Sequence, residues 1–337
     1  FSRRLNRIVR HPIHKKNTVY HYNTTSFLQQ KRNVLETEPV IRSLLFIPGN
    51  TPKMLNKMLT LQPDAFVPDL EDSVPLDKKD EARIICSKFI NETYASYKKE
   101  NPSAPLLIPR VNYTEEHFEK DIEAMISPNI YAITVGKTDC VDDVYKAIEL
   151  LDKYEKKAGL EKNSIKLIPT IESALSICNA NEICRVDNER IVGIAFGADD
   201  YANDMGFTRN TSQTVETSLV YPRSVIGVTT RSVGIQSFDT PNVNFKDPEG
   251  HAEECHAVKE AGFTGKFAIH PNQISVINDQ FGVTEEQYQE ATRVVEAYEK
   301  AASTSRGSLQ IEGRMVDQPV LKQFQSIIRR YKRQQSL

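Results

Sequence analysis

Four short motifs put charged groups directly behind apolar runs: Asp69-Leu-Glu-Asp72, Pro109-Arg-Val-Asn112, Pro169-Thr-Ile-Glu172 and Phe196-Gly-Ala-Asp-Asp200. Asp239 and His270 stand in comparable places further along the chain. Several carboxylates sharing one cleft repel one another and demand a cation. A hard divalent ion with oxygen ligands suits them, and magnesium needs only one or two protein carboxylates while leaving room for water and substrate oxygens. Glu172 and Asp200, behind consecutive apolar runs, are the expected direct ligands. Asp69, Glu71 and Asp72 would then hold metal-bound water or orient Arg110. Arg110 can neutralise a substrate carboxylate or a developing enolate through paired hydrogen bonds. Taken singly, any of these acids reads equally well as a solvated loop residue or a helix cap, Asp199 above all; their collective placement is the argument. His270, before Pro271 and Asn272, reads at least as well as a turn residue as a base. Gly49 and Asn50 open a turn suited to phosphate, and Lys53 and Lys57 lie one helical turn apart, although a lone lysine pair is usually solvated surface.

A fold that gathers strand ends into one mouth is needed to make these motifs neighbours. Apolar, β-branched runs alternate with longer amphipathic stretches from Ile41 onward, the pattern of repeated βα units. Eight strands are expected: 44–47, 65–70, 106–111, 131–135, 166–171, 191–196, 236–240 and 266–269. Eight favours a closed TIM (β/α)8 barrel, an α/β fold whose active sites lie at the C-terminal strand ends. Helices are expected over 77–91, 141–157 and 173–182, and over 215–233 with a kink or a fresh start at Pro222. After the eighth strand, 284–302 reads as a helix capped by Thr284, 303–313 as a hinge or loop, and 318–332 as a further helix with Pro319 in its first turn. The expected organisation is thus a leader over 1–38, a barrel over 39–302 and a C-terminal segment over 303–337.

The formal charge of -2 conceals an asymmetry. Residues 1–35 carry eight Lys/Arg and no acid, so of the 43 basic residues 35 remain to face 45 acids in the rest. An acid-free, Arg-rich leader with Leu5, Ile8 and Val9 at helical spacing fits a mitochondrial transit peptide and hence the matrix; a disordered basic tail is the plainer reading. The acidic body argues against nucleic-acid binding. No apolar run approaches the roughly 20 residues that span a bilayer, so no membrane role is expected. Cys86, Cys140, Cys178, Cys184 and Cys255 are odd in number and form no Cys-x-x-Cys pair, which suits reduced thiols and neither a zinc site nor a disulfide framework.

Taken in order, the motifs resemble the citrate lyase β-subunit-like branch of the HpcH/HpaI aldolase family. The anchors are Arg42-Ser-Leu-Leu-Phe-Ile-Pro-Gly-Asn50, Asp69-Leu-Glu-Asp72, Pro109-Arg-Val-Asn112, Ile168-Pro-Thr-Ile-Glu172, Phe196-Gly-Ala-Asp-Asp200, Gly262-Phe-Thr-Gly-Lys-Phe-Ala-Ile-His-Pro-Asn-Gln273 and Met315-Val-Asp-Gln-Pro319. The resemblance implies a TIM barrel, usually trimeric, with magnesium on Glu172 and Asp200 and Arg110 on the substrate carboxylate or enolate. It implies that Phe46, Lys53 and Lys57, with Phe238 and Asp239, contact an acyl-CoA thioester. It places a catalytic acid/base, Asp317, on a C-terminal lid that often completes a neighbouring subunit's site. The implied reaction cleaves a 3-hydroxy-dicarboxylic acyl-CoA, citramalyl- or malyl-CoA, to acetyl-CoA and a small 2-oxo acid. This sequence departs from the family at Gly136-Lys-Thr-Asp-Cys140, at Thr240-Pro-Asn-Val-Asn-Phe-Lys-Asp247 and at Pro222, which bears on the acyl substrate and the CoA pocket. Two other readings are a CoA-independent class II pyruvate aldolase and a non-catalytic scaffold keeping the fold, the latter opposed by the intact set of candidate residues.

Overall fold

The computed structural model describes residues 34–186, 189–211, 215–302, 309–311 and 313–335. Most of the basic leader lies outside them. Ordered packing nevertheless begins earlier than the expected boundary at residue 38: a short helix, Val34–Thr37, buries Val34, and the Leu35 N–H donates to the Gly234 carbonyl over 3.1 Å.

The barrel is a ring of parallel strands. Strand β1 (Ser43–Pro48) pairs with both β2 (Ala65–Asp69) and the last ring strand, which closes the sheet. The third ring position is occupied by two fragments, β3 (Leu106–Leu107) and β4 (Arg110–Val111), in place of the one continuous strand expected. Ile108 donates to the Phe66 carbonyl of β2, but Pro68 has no N–H to return to it, and Pro109, which faces the next strand around the ring, has none to donate there; the ladder breaks here and resumes at Arg110. Then come β5 (Ala132–Val135), β6 (Lys166–Ile171), β7 (Gly193–Phe196), β8 (Gln236–Asp239) and β9 (Gly265–Ala268), in sequential order around the ring. The interior and the helix-facing side of this ring are both buried, as in β5 and β7, whose every residue is buried.

The long 215–233 segment begins as a 3₁₀ turn, Thr217–Leu219, and continues as the helix Val220–Val233. Pro222 sits in its first turn, where a missing N–H forfeits no bond, so there is no kink. Thr284 caps the helix Glu285–Ala302 reciprocally: the Gln287 N–H donates to Thr284 Oγ1 over 3.2 Å, and the Thr284 N–H to Gln287 Oε1 over 3.0 Å. Part of the expected hinge is instead an antiparallel hairpin, β10 (Leu309–Ile311) with β11 (Arg314–Val316), turned by Gly313 at φ 79°. The helix Gln318–Gln334 comes next and packs on Glu285–Ala302 through a small core of Val294, Tyr298, Val316 and Leu321. No helix among the described residues is long and apolar enough to cross a membrane.

Gly49 is where β1 leaves the sheet, at the C-terminal rim of the ring. Its N–H donates to the Asp69 carbonyl over 2.8 Å, and a Cβ there would meet that oxygen at 2.6 Å and Cys86 Sγ at 2.7 Å. Gly49→Ala therefore forces the ends of β1 and β2 apart, and unfolding in denaturant should report a loss of about 1–3 kcal/mol.

Candidate active site

Asp69 ends β2, Arg110 begins β4, and the two are register partners across the ladder. Their side chains form a two-pronged pair: Arg110 Nε donates to Asp69 Oδ1 and Nη2 to Oδ2, both over 2.7 Å. Arg110 Nη1 lies 3.0 Å from Glu71 Oε2 and 3.2 Å from Asp72 Oδ2. Its guanidinium carbon sits 4.7 Å from the centre of the Phe46 ring, which stacks in turn on Phe267. Asp69 also accepts from the Glu71 N–H over 2.9 Å and the Ser73 N–H over 3.1 Å. Burial works against the Asp69 charge, but Arg110 and these donors more than offset it and hold the carboxyl below its usual range. Burial likewise opposes the Arg110 charge, and Asp69, Glu71 and Asp72 together raise its pKa. The fork is thus fixed in direction and always charged.

Glu172 follows β6 and is nearly buried. Its pKa is pushed up to about 8, by burial first and then by the charges of Glu71 and Asp200. The Glu71 carboxyl is also raised by burial, with Arg110 opposing. A Cβ on Gly136 would lie 2.9 Å from Glu71 Oε1 and 3.2 Å from Glu172 Oε1, so the two carboxylates converge on one backbone position. The only direct donor to the Glu172 carboxylate among the described residues is the Lys137 N–H, in a short hydrogen bond. Lys137 adopts φ 55°, the left-handed region, and its Nζ lies 3.2 Å from Glu71 Oε1.

Glu172, Asp200 and Arg110 line one cavity of about 390 Å³, with Phe46, Thr134 and Thr170 among its walls. The anionic groups facing it are all carboxylates, whose oxygens are hard ligands. Among the described residues no three acidic, His or Cys side chains stand together as a ready metal cage. Magnesium does not require one, since it keeps several waters and takes one or two carboxylates. A nearly buried carboxylate raised by two like charges is the donor set that such a cation would satisfy.

The HpcH/HpaI aldolase/citrate lyase profile matches residues 42–271, well over half of the chain. The chain belongs to this family. It is 32% identical to citrate lyase subunit beta of Haemophilus influenzae over 86% of its length and 97% of that protein's. It is 28% identical to the mitochondrial citramalyl-CoA lyase of Mus musculus, with 85% of each covered. Among solved structures, Mycobacterium tuberculosis CitE in complex with magnesium, acetoacetate and coenzyme A superposes with a TM-score of 0.67 at 25% identity, covering 87% of this chain and 98% of that one. As a HpcH/HpaI family member the chain has the closed parallel barrel expected from its sequence.

Several of the other expected site residues lie off this cavity. Phe238 and Asp239 have no exposed surface and do not line the cavity. Phe238 packs edge-on to Phe267, whereas Asp239 points to the other face of β8, where Arg223 donates to it twice over 3.0 Å and Lys266 makes a short contact. Its carboxylate is spent on those two cations. Lys53 and Lys57 are exposed on the helix Pro52–Met58 and line no wall of the cavity. Asp317 does not line it either: it caps the C-terminal helix, accepting from the Val320 N–H over 3.0 Å. Asp199 is no cap, since Gly197 holds that position; it pairs with Arg209 at 3.0 Å on the exposed side. His270 is a turn residue stacked on Phe245, its Nδ1 accepting from the Asn272 N–H. Buried Cys86 and Cys255 have thiols pushed up to about 12, far from nucleophilic use.

Lys137 and the hydroxyls of Thr134 and Thr170 are the site residues that sequence reasoning missed. Lys137 had one signal, a Gly-Lys step directly after the fourth apolar run; the threonines had none, since they read as strand interior.

Between its ordinary 4.5 and about 8, Glu172 keeps its proton in the metal-free native state and loses it on unfolding. The native state then binds more protons, so this group lowers stability as pH rises through that window. Glu172→Gln removes the penalty: metal-free, its melting temperature should exceed the wild type's above pH 8, and it should no longer rise with added magnesium. A magnesium-induced rise equal to the wild type's would remove Glu172 as a ligand.

Proposed function

We propose that this protein is a magnesium-dependent carbon–carbon lyase acting on a 3-hydroxy-dicarboxylic acyl-CoA, citramalyl-CoA or malyl-CoA, in the mitochondrial matrix. The observation that carries the reading is one cavity lined by Glu172, Asp200 and the Asp69-held Arg110. Further support comes from the relatives: one is a mitochondrial citramalyl-CoA lyase, and a fold neighbour was solved with magnesium and coenzyme A. The acid-free basic leader favours the matrix, although the bacterial citrate lyase relative matches equally long stretches.

Glu172 and Asp200 would hold the magnesium ion, which when bound supplies Lewis-acid polarisation of the substrate's carboxylate and hydroxyl oxygens. Arg110, immobilised by Asp69, would turn Nη1, which rests against Glu71 and Asp72 in this structure, to the negative charge that develops on oxygen as the bond breaks. The hydroxyl proton passes to solvent at the open mouth of the cavity, the bond between the carbinol carbon and the thioester α-carbon breaks, and its electron pair forms the thioester enolate. The 2-oxo acid departs with a new carbonyl. Asp317 then delivers a proton to the α-carbon, giving acetyl-CoA, or removes it in the condensation direction. Because Asp317 lies off the cavity of its own chain, it would act on a neighbour in a homotrimer, with the C-terminal segment as that neighbour's lid.

A coenzyme A-independent pyruvate aldolase is the second reading, favoured by one observation: of the residues expected on the thioester, only Phe46 lines the cavity together with Arg110. Purified protein with magnesium should cleave citramalyl- or malyl-CoA and leave the free acids untouched; the reverse preference would establish the aldolase. Asp317→Ala and Arg110→Ala should each lower turnover at least a hundredfold. A mixture of the two variants, unfolded and reassembled together, should regain turnover, since a wild-type lid can then meet a wild-type cavity. A mixture as inactive as its parts would exclude action in trans.

A further inference from the structure

A second cavity, of about 590 Å³, lies at the far end of the barrel. Val40 before β1, Gly234 before β8 and Thr264 before β9 line it, which places it at the N-terminal strand ends, and it shares no residue with the carboxylate cavity. One wall is the end of the helix Val220–Val233, carrying Arg231; another is the C-terminal helix, carrying Arg329, Arg330, Lys332 and Arg333. Among the described residues, five cations therefore meet a single lining carboxylate, Glu36.

The five cations are partnered unequally among the described residues. Arg333 is served by the Leu35 carbonyl and by the charges of Glu36 and Glu38. Arg330 donates over 2.9 Å to the Phe281 carbonyl, and both burial and the neighbouring Arg231 charge lower its pKa. Arg231 is exposed, yet desolvation lowers its pKa, and no carboxylate among the described residues offsets it. Gln236, 3% exposed, also faces the cavity. Its Oε1 accepts from the Ile41 N–H over 3.0 Å, while its Nε2 has no hydrogen-bond partner among the described residues. A buried amide donor left unpaired is costly, and Gln236 lines the same cavity as the mutually repelling Arg231 and Arg330, a combination suited to an acceptor.

We propose that this cavity binds a multiply charged oxyanion, carried either by a phosphate or by a small tricarboxylate. Guanidinium forks pair with both chemistries through two parallel hydrogen bonds. The volume falls within the roughly 300–1,000 Å³ of small-molecule sites. The ligand bridges Arg231 on the barrel and Arg330 on the C-terminal helix, and so fastens that helix to the barrel. Its binding does not depend on the chemistry at the other end.

The full chain, metal-free and at constant ionic strength in sodium chloride, is titrated calorimetrically with pyrophosphate and separately with citrate. At least one should bind saturably, once per chain, and slow hydrogen exchange across 318–334. Arg231→Glu should weaken that binding at least tenfold, and Arg329→Glu, on an exposed residue, should weaken it in the same direction. Arg110→Met, which removes the guanidinium at the catalytic end, should leave it unchanged. Which anion binds separates the phosphate source from the carboxylate source. Absence of binding by both, equal affinity in Arg231→Glu, or loss of binding in Arg110→Met would overturn the proposal.

Discussion

Like charges gathered out of water set the terms for the catalytic end of this barrel. Glu172 is nearly buried beside Glu71 and Asp200, and its proton is held to about pH 8. That displacement corresponds to about 4–5 kcal/mol against the charged form relative to an exposed carboxyl. A divalent cation reverses the preference at once. The stability of this end and the metal affinity proposed for it would thus be two faces of the same repulsion.

Everything around Glu172 serves to hold that arrangement still. The absence of a side chain at Gly136 lets the Glu71 and Glu172 carboxylates approach one backbone position, and Lys137 accepts a left-handed conformation there. Such a conformation costs a non-glycine residue about 1–3 kcal/mol and persists only where surroundings over-determine it. Here they do, because the Lys137 N–H is tied to Glu172 and its ammonium to Glu71. Arg110 is immobilised in the same manner by Asp69, with Phe46 beneath it. The site is held mainly by backbone ends and ion pairs.

Charge is sorted along the barrel axis. Acids and one arginine crowd the C-terminal strand ends, and cations crowd the N-terminal ends. In the wall, Arg223, Lys266, Asp239 and Glu254 pair two cations with two anions and need no ligand. That neutral quartet shows how this fold settles buried charge when no ligand is involved. The imbalance at the two ends stands out against it.

The eight βα units, the strand-end positions of Asp69, Arg110, Glu172 and Asp200, and the Thr284 cap were legible in the sequence, because apolar periodicity and capping chemistry are local. So was the gathering of acids at the strand ends, on which the expectation of a cation rests. Tertiary structure alone decided that Asp239 turns to Arg223 and Lys266, away from the mouth. Strand parity separates two faces, but both faces of a parallel barrel are buried, and the sequence carries no mark of which is the interior. The same limit applies to Lys53, Lys57 and Asp317, whose helical phase is legible but whose distance from the mouth depends on how helices dock. The convergence of Gly136, Lys137 and Glu172 likewise required folding, since residues 35 positions apart meet only once the ring has closed.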